Sequence, residues 1–113
     1  MLRYLIFAAL AIMATPMALA QNASADRDLL AAAERGDAAG AQAALAAGAN
    51  PNARDSAQRT ALIITGESGA IAVARLLIAA RADVNIRDNR AYDALTQAAA
   101  RGDHALVGVL LDH

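Results

Sequence analysis

The chain has 113 residues, enough for one domain, and its ten positive charges, all arginine, against eleven acids give a formal net charge of -1, which leaves no basic footprint for nucleic acid. Hydrophobic residues make up 58%, yet 34 of them are alanine and only 3% of the chain is aromatic, which disfavours a large ring-lined pocket. The absence of cysteine excludes disulfides, thiol catalysis and Cys-ligated zinc.

Residues 1–20 differ from the rest. Arg3 supplies a short positive start, Leu5 to Ala14 form a nearly unbroken apolar run, and Thr15-Pro16 break any helix. Ala18-Leu19-Ala20 place small residues where a signal peptidase cuts, leaving Gln21 as the new N-terminus. The expectation is a cleavable signal peptide over 1–20 and a periplasmic or secreted mature chain. The rival is an uncleaved anchor, for which the apolar run is short and interrupted by Pro16. The alanine-rich, lysine-free composition has the look of a GC-rich bacterium, which favours the periplasm. Residues 21–25 read as a flexible lead-in.

From residue 26 onward the sequence repeats with a step of 33. Gly36, Gly69 and Gly102 mark it, as do Leu29, Leu62 and Leu95, and Leu45, Ile78 and Leu111. Ala49 and Ala82, Asn52 and Asn85, and Asp55 and Asp88 follow the same offset. Such a period marks a stacked repeat fold. Within each unit the pattern is helix, glycine turn, helix, extended loop. Asp26–Arg35 and Ala38–Ala47 form the first pair, with Gly48 as a left-handed cap. Pro51 keeps the following loop out of a helix. Thr60 caps a helix to about Ser68 and Ala70–Ala80 pairs with it; Asp93 caps a helix to Arg101, paired with His104–Asp112. The units run about 26–54, 55–87 and 88–113.

The stretches "RTALIITGESGAIAVARLLIAARADVNIRD" (59–88) and "DALTQAAARGDHALVGVLLDH" (93–113) resemble ankyrin repeats, and the looser "DLLAAAERGDAAGAQAALAAGANPNARD" (28–55) is in register with them. The resemblance implies an all-α repeat solenoid of helix–turn–helix units with short β-hairpin loops, binding proteins through hairpin tips and the inner-helix face. Several positions depart from the family pattern. The Thr-Pro-Leu-His helix start is reduced to Thr60-Ala61-Leu62-Ile63 and Asp93-Ala94-Leu95-Thr96. The usual glycines of the hairpin tips and of one helix cap are Gln58, Ala91 and Arg81, each predicting left-handed backbone at a cost of about 1 kcal/mol. Gly66 and Gly108 read as helix-weakening residues, at about 1 kcal/mol each relative to alanine.

Catalytic chemistry finds no support: the two histidines, His104 and His113, have no partner at ligand spacing, no phosphate-binding glycine loop occurs, and no cofactor, metal or catalytic residue is expected. Asp55 and Asp88 read as hairpin turn formers. The triplets Arg35-Gly36-Asp37 and Arg101-Gly102-Asp103 fall on the inter-helix turn, where the repeat needs glycine, so an adhesive role is set aside. What remains is surface. Ser56, Gln58, Arg59, Asn89, Arg90 and Tyr92 at the hairpin tips, with Glu67 and Arg101 on the inner-helix edge, are the expected partner-binding residues. The expected role is an exported module that binds a partner protein as adaptor, inhibitor or protector, with no nucleic acid and no membrane after signal cleavage. Leu106, Val107, Val109, Leu110 and Leu111 crowd one short helix, which raises the alternatives of a further repeat beyond residue 113, a partner docking there, or a structural role through self-association at this apolar C-terminal face.

Overall fold

The computed structural model describes residues 23–112, six helices in three antiparallel pairs. They are α1 (23–35), α2 (Ala38–Ala46), α3 (Ala61–Ser68), α4 (Ile71–Ala79), α5 (Ala94–Arg101) and α6 (His104–Leu111). The proposed signal peptide lies outside the described residues, and no described helix is long and apolar enough to cross a membrane.

Five helices keep within a residue of their expected spans. The first does not: residues 23–25, expected to be flexible, are the opening turn of α1, and Ala25 is buried. A tether explains the early start. The Asp26 carboxylate accepts the Asn50 N–H at 2.6 Å, fixing the helix start to the loop at the far end of its own unit.

Side-chain caps set the helix starts. Thr60, Asp93, Asp37 and Asp103 each accept the backbone N–H three residues on, satisfying one of the orphan donors of a helix N-terminus. Asp37 and Asp103 are the acids of the two Arg-Gly-Asp triplets, so capping occupies the carboxylates that an adhesive motif would present. Gly36, Gly69 and Gly102 turn the chain at φ between 67° and 74°. Arg81, Gln58 and Ala91 adopt φ of 64–65°, the left-handed backbone expected where they replace glycine. The expected β-hairpins are reduced to a minimum. The first closes with a single antiparallel bridge, Arg54 to Thr60; the second forms no such bridge and is closed by the backbone bonds Asp88 N–H to the Tyr92 carbonyl at 2.9 Å and Ala91 N–H to the Asp88 carbonyl at 3.0 Å.

Helices α1, α3 and α5 form the inner row and α2, α4 and α6 the outer, with α3 packed on α5, α2 on α4 and α4 on α6. The core runs continuously through the stack. Leu29, Leu62, Ile63, Ile64, Val73, Leu77 and Leu106 fill it, and Ala32, Ala33, Ala41, Ala74 and Ala98 are completely buried at its crossings. Alanine contributes little area but lets helices approach closely. Gly66 takes this to the limit: a Cβ there would lie 2.8 Å from the Gln97 Cβ and 2.9 Å from the Ala94 carbonyl oxygen. The sequence marks Gly66 as a weak point of its helix; the structure makes it the place where α3 and α5 touch. Gly108, by contrast, faces open space.

The two glycines should therefore respond oppositely in thermal unfolding. Gly66→Ala should destabilise by about 1–3 kcal/mol through overpacking, whereas Gly108→Ala should stabilise by about 0.5–1 kcal/mol through helix propensity. Arg81→Gly, relieving left-handed strain, should also stabilise, by up to about 1 kcal/mol. A change of 1 kcal/mol moves Tm by roughly 4–8 °C in a domain of this size.

Candidate interaction surface at the hairpin tips

Each hairpin is folded around one carboxylate. Asp55 Oδ1 accepts the N–H groups of Ala57 and Arg59, both at 2.9 Å. One repeat later Asp88 Oδ1 accepts those of Arg90 at 2.8 Å and Tyr92 at 3.0 Å. The turn-forming role read from the sequence is thus what both acids perform. The tips are tied to each other as well, through Asn89 N–H donating to the Ala57 carbonyl at 3.1 Å.

The inner-helix edge meets the hairpins at Glu67. Arg59 Nη1 contacts Glu67 Oε2 at 2.5 Å, while its Nε and Nη2 reach Asp55 Oδ2 at 2.8 and 2.7 Å, and Nη2 also lies 3.4 Å from Glu34. Arg90 Nη2, from the next hairpin, lies 3.1 Å from Glu67 Oε1 and 3.4 Å from Asp88 Oδ2. Gln97 Nε2 donates to Glu67 Oε1 at 3.3 Å, and the Arg101 guanidinium donates to the Glu67 carbonyl oxygen. One glutamate on α3 thus gathers donors from two hairpins and from α5. The Arg90 guanidinium sits 5.1 Å from the Tyr92 ring centroid, within cation–π range.

Of the eight residues expected to bind a partner, the structure brings Arg59, Glu67, Arg90 and Arg101 into this internal network, with Tyr92 joined through Arg90. Ser56, Gln58 and Asn89 are exposed on the tips, as is Tyr92 at 41%. Glu34, which the sequence places on the same inner-helix edge 33 residues before Glu67, joins the network through Arg59; Gln97, which sequence reasoning does not single out, carries no such signal.

Each carboxylate of the network meets an arginine. Burial alone would raise the Asp55 carboxyl, but the Arg59 N–H, the Arg59 guanidinium and the Ala57 N–H outweigh it and hold the group below its ordinary value. Asp88, whose side chain is 1% exposed, behaves alike: burial pushes it up, and the Tyr92 and Arg90 N–H groups and the Arg90 charge bring it below. Burial disfavours the Arg59 cation, and Asp55 and Glu67 more than restore it. Among the described residues no cluster of three or more His, Asp or Glu side chains is arranged to hold a metal.

A three-unit helical stack joined by glycine turns and Asp-centred loops defines a repeat solenoid of interaction modules. Residues 29–113 match the family model for ankyrin repeats in three copies, and the chain belongs to the ankyrin repeat family. Such repeats mediate protein–protein interaction in general. None of the curated proteins compared with the chain matches it.

The lowered carboxyls fix the sign of the acid response. The folded state holds Asp55 and Asp88 below their ordinary values, so the unfolded chain binds more protons as pH falls. Their stabilisation is complete above the unfolded carboxylate range, near pH 4, and is lost as pH drops further through the folded values. Thermal unfolding should therefore be flat from neutral pH to about 5 and fall steeply below about 4. Asp88→Asn, which keeps an oxygen for the two N–H groups but no charge, should lose about 1 kcal/mol at pH 7 and show a shallower acid limb.

Proposed function

We propose that the chain is an exported, periplasmic binding module that recognises another protein through its hairpin tips and inner-helix edge, acting on that partner as adaptor, inhibitor or protector without making or breaking a bond. The observation that carries this reading is the fixed backbone of the tips. Asp55 and Asp88 each hold two loop N–H groups, and Asn89 ties one tip to the next. Side chains presented on such a frame lose little freedom on binding, which removes part of the entropic cost of association. Tyr92 and Arg90, stacked on one another, are residue types over-represented among binding hot spots. Arg59 and Glu67 serve the frame, while Ser56, Gln58, Asn89, Arg90 and Tyr92 offer the contact atoms and Arg101 lines the edge. Self-association through the C-terminal face, the other role the sequence raises, uses a different surface and leaves the tips free.

Two measurements test this. Protein released from the expressing cell by osmotic shock should begin at Gln21; recovery only with the cytoplasmic fraction would remove export. A partner captured from the same fraction by the wild-type chain should bind the Arg90→Ala, Tyr92→Ala double variant at least tenfold more weakly, a loss of about 1.4 kcal/mol. Equal affinity for both proteins would remove the tips from the account.

A further inference from the structure

The two loops between helix pairs alternate residue by residue. In the first, Arg54, Ser56 and Gln58 are exposed, while Ala53, Asp55 and Ala57 are half-buried. In the second, Asp83, Asn85, Arg87 and Asn89 are exposed, while Val84 and Ile86 are half-buried and Asp88 is buried. Each loop thus has one side turned to the protein and one to solvent. Two hydrogen bonds fix how the loops lie together. The Asp83 N–H donates to Asn52 Oδ1 at 2.7 Å, and the Asn89 N–H donates to the Ala57 carbonyl at 3.1 Å. Residues 52–57 and 83–89 therefore run side by side, and their solvent-facing residues form one strip.

Charge is sorted between the two sides. Asp55 and Asp88 lie on the inner side, where Oδ1 of each accepts two backbone N–H groups and Oδ2 meets Arg59 or Arg90. Arg54 and Arg87, one repeat apart in the sequence, lie on the outer side. Among the described residues neither forms an ion pair, and Arg54 reaches only the Gln58 Oε1 at 3.5 Å. The acid on this side, Asp83, stands at one end of the strip with its Oδ1 taken by the Asn85 N–H at 2.9 Å. A chain of net charge -1 thus turns two unpaired guanidinium groups outward, beside the neutral hydrogen-bonding groups of Ser56, Gln58, Asn85 and Asn89.

We propose that this outer strip docks a short acidic segment of a partner protein, whose carboxylates pair with Arg54 and Arg87. The inference rests on the reading of the chain as a protein-binding module and adds the chemistry of the partner: the tips supply fit and the strip supplies charge. A guanidinium fork matches a carboxylate in geometry as well as sign, and complementary charge of this kind selects a partner and speeds its approach. A nucleic acid is the poorer match. Its affinity is built from many phosphate contacts, whereas the strip offers two cations and the surface elsewhere exposes Asp28, Glu34 and Asp112. Exposed ion pairs are weak singly, so binding through the strip alone is modest and falls as salt screens it.

Fluorescence anisotropy tests it on the chain purified from expressing cells with their own N-terminal processing. The probe is a labelled peptide of about ten residues in which glutamate alternates with serine, so that an extended chain carries its carboxylates on one face. The peptide should bind at an ionic strength of about 0.01 M and about tenfold more weakly at about 0.15 M. Arg54→Gln and Arg87→Gln, at exposed positions outside the Glu67 network and so expected to keep the wild-type Tm, should together weaken binding at least tenfold at the lower ionic strength. Arg75→Gln, which removes an exposed arginine from α4, should leave it unchanged. No binding of the glutamate peptide, equal binding of a lysine–serine peptide, tighter binding of an oligothymidylate of the same length, or a loss from Arg75→Gln equal to that of the double variant would each overturn the proposal. The peptide requires no captured partner, so its failure leaves the role of the tips to be decided by the Arg90→Ala, Tyr92→Ala measurement.

Discussion

The distance between successive inner helices governs this molecule. α3 and α5 approach until a single methyl group on Gly66 would collide with Gln97 and with the backbone of Ala94. Close-packed interiors do not absorb such an intrusion without shifting a neighbour. The separation in turn sets which polar groups meet. Glu67 reaches Arg90 of the following hairpin, Arg101 reaches back to the Glu67 carbonyl, and Ser68 Oγ reaches the Ala33 carbonyl at 3.0 Å. These bonds span 23 to 35 residues of sequence, and each requires the apolar surfaces beneath to be seated first. The hydrophobic contact therefore comes before the charged network in the hierarchy of causes, although the network is the more conspicuous feature.

The loops show how local strain is carried by that arrangement. Gln58 and Ala91 sit at left-handed φ, which a non-glycine residue adopts at a cost of roughly 1 kcal/mol. Each is held there by the Asp three residues earlier: Gln58 and Ala91 donate their N–H groups to the Asp55 and Asp88 carbonyls at 3.0 Å, while the carboxylates take the flanking donors. Exposed ion pairs contribute little singly. Here Arg59 is 25% exposed and shared among three acids, so its value lies in fixing hairpin to helix more than in any one pair.

What the sequence disclosed follows from which constraints are periodic. Gly36, Gly69 and Gly102 must turn the chain at positive φ, Leu29, Leu62 and Leu95 must fill equivalent holes, and Asp55 and Asp88 must close equivalent loops. Repeated need leaves a repeated letter, so the units, the helices and the turn-forming acids were legible. Single events were not. Gly66 serves one contact, between α3 and α5, and in the sequence reads as a flaw in a helix. The convergence on Glu67 depends on atoms from two hairpins and two helices, and no local pattern announces it; the sequence marks Arg59, Glu67, Arg90 and Arg101 as surface residues without revealing that they meet at one glutamate. The beginning of α1 has no local signal either: Asn50, which bonds its Asp26, lies 24 residues away.

The division of charge also separates the surfaces of the molecule by the kind of contact each can make. Around the tips, Arg59 and Arg90 are held by Asp55, Asp88, Glu34 and Glu67, so much of their charge is engaged inside the molecule. On the proposed function, recognition there rests on fit: the Tyr92 ring, the Arg90 donors left over from Glu67, and the neutral groups of Ser56, Gln58 and Asn89 on a backbone already in place. At the end of the stack, by contrast, Leu111 is 67% exposed and Leu95 and Val107 are half-buried, so apolar contact weighs more there than charge.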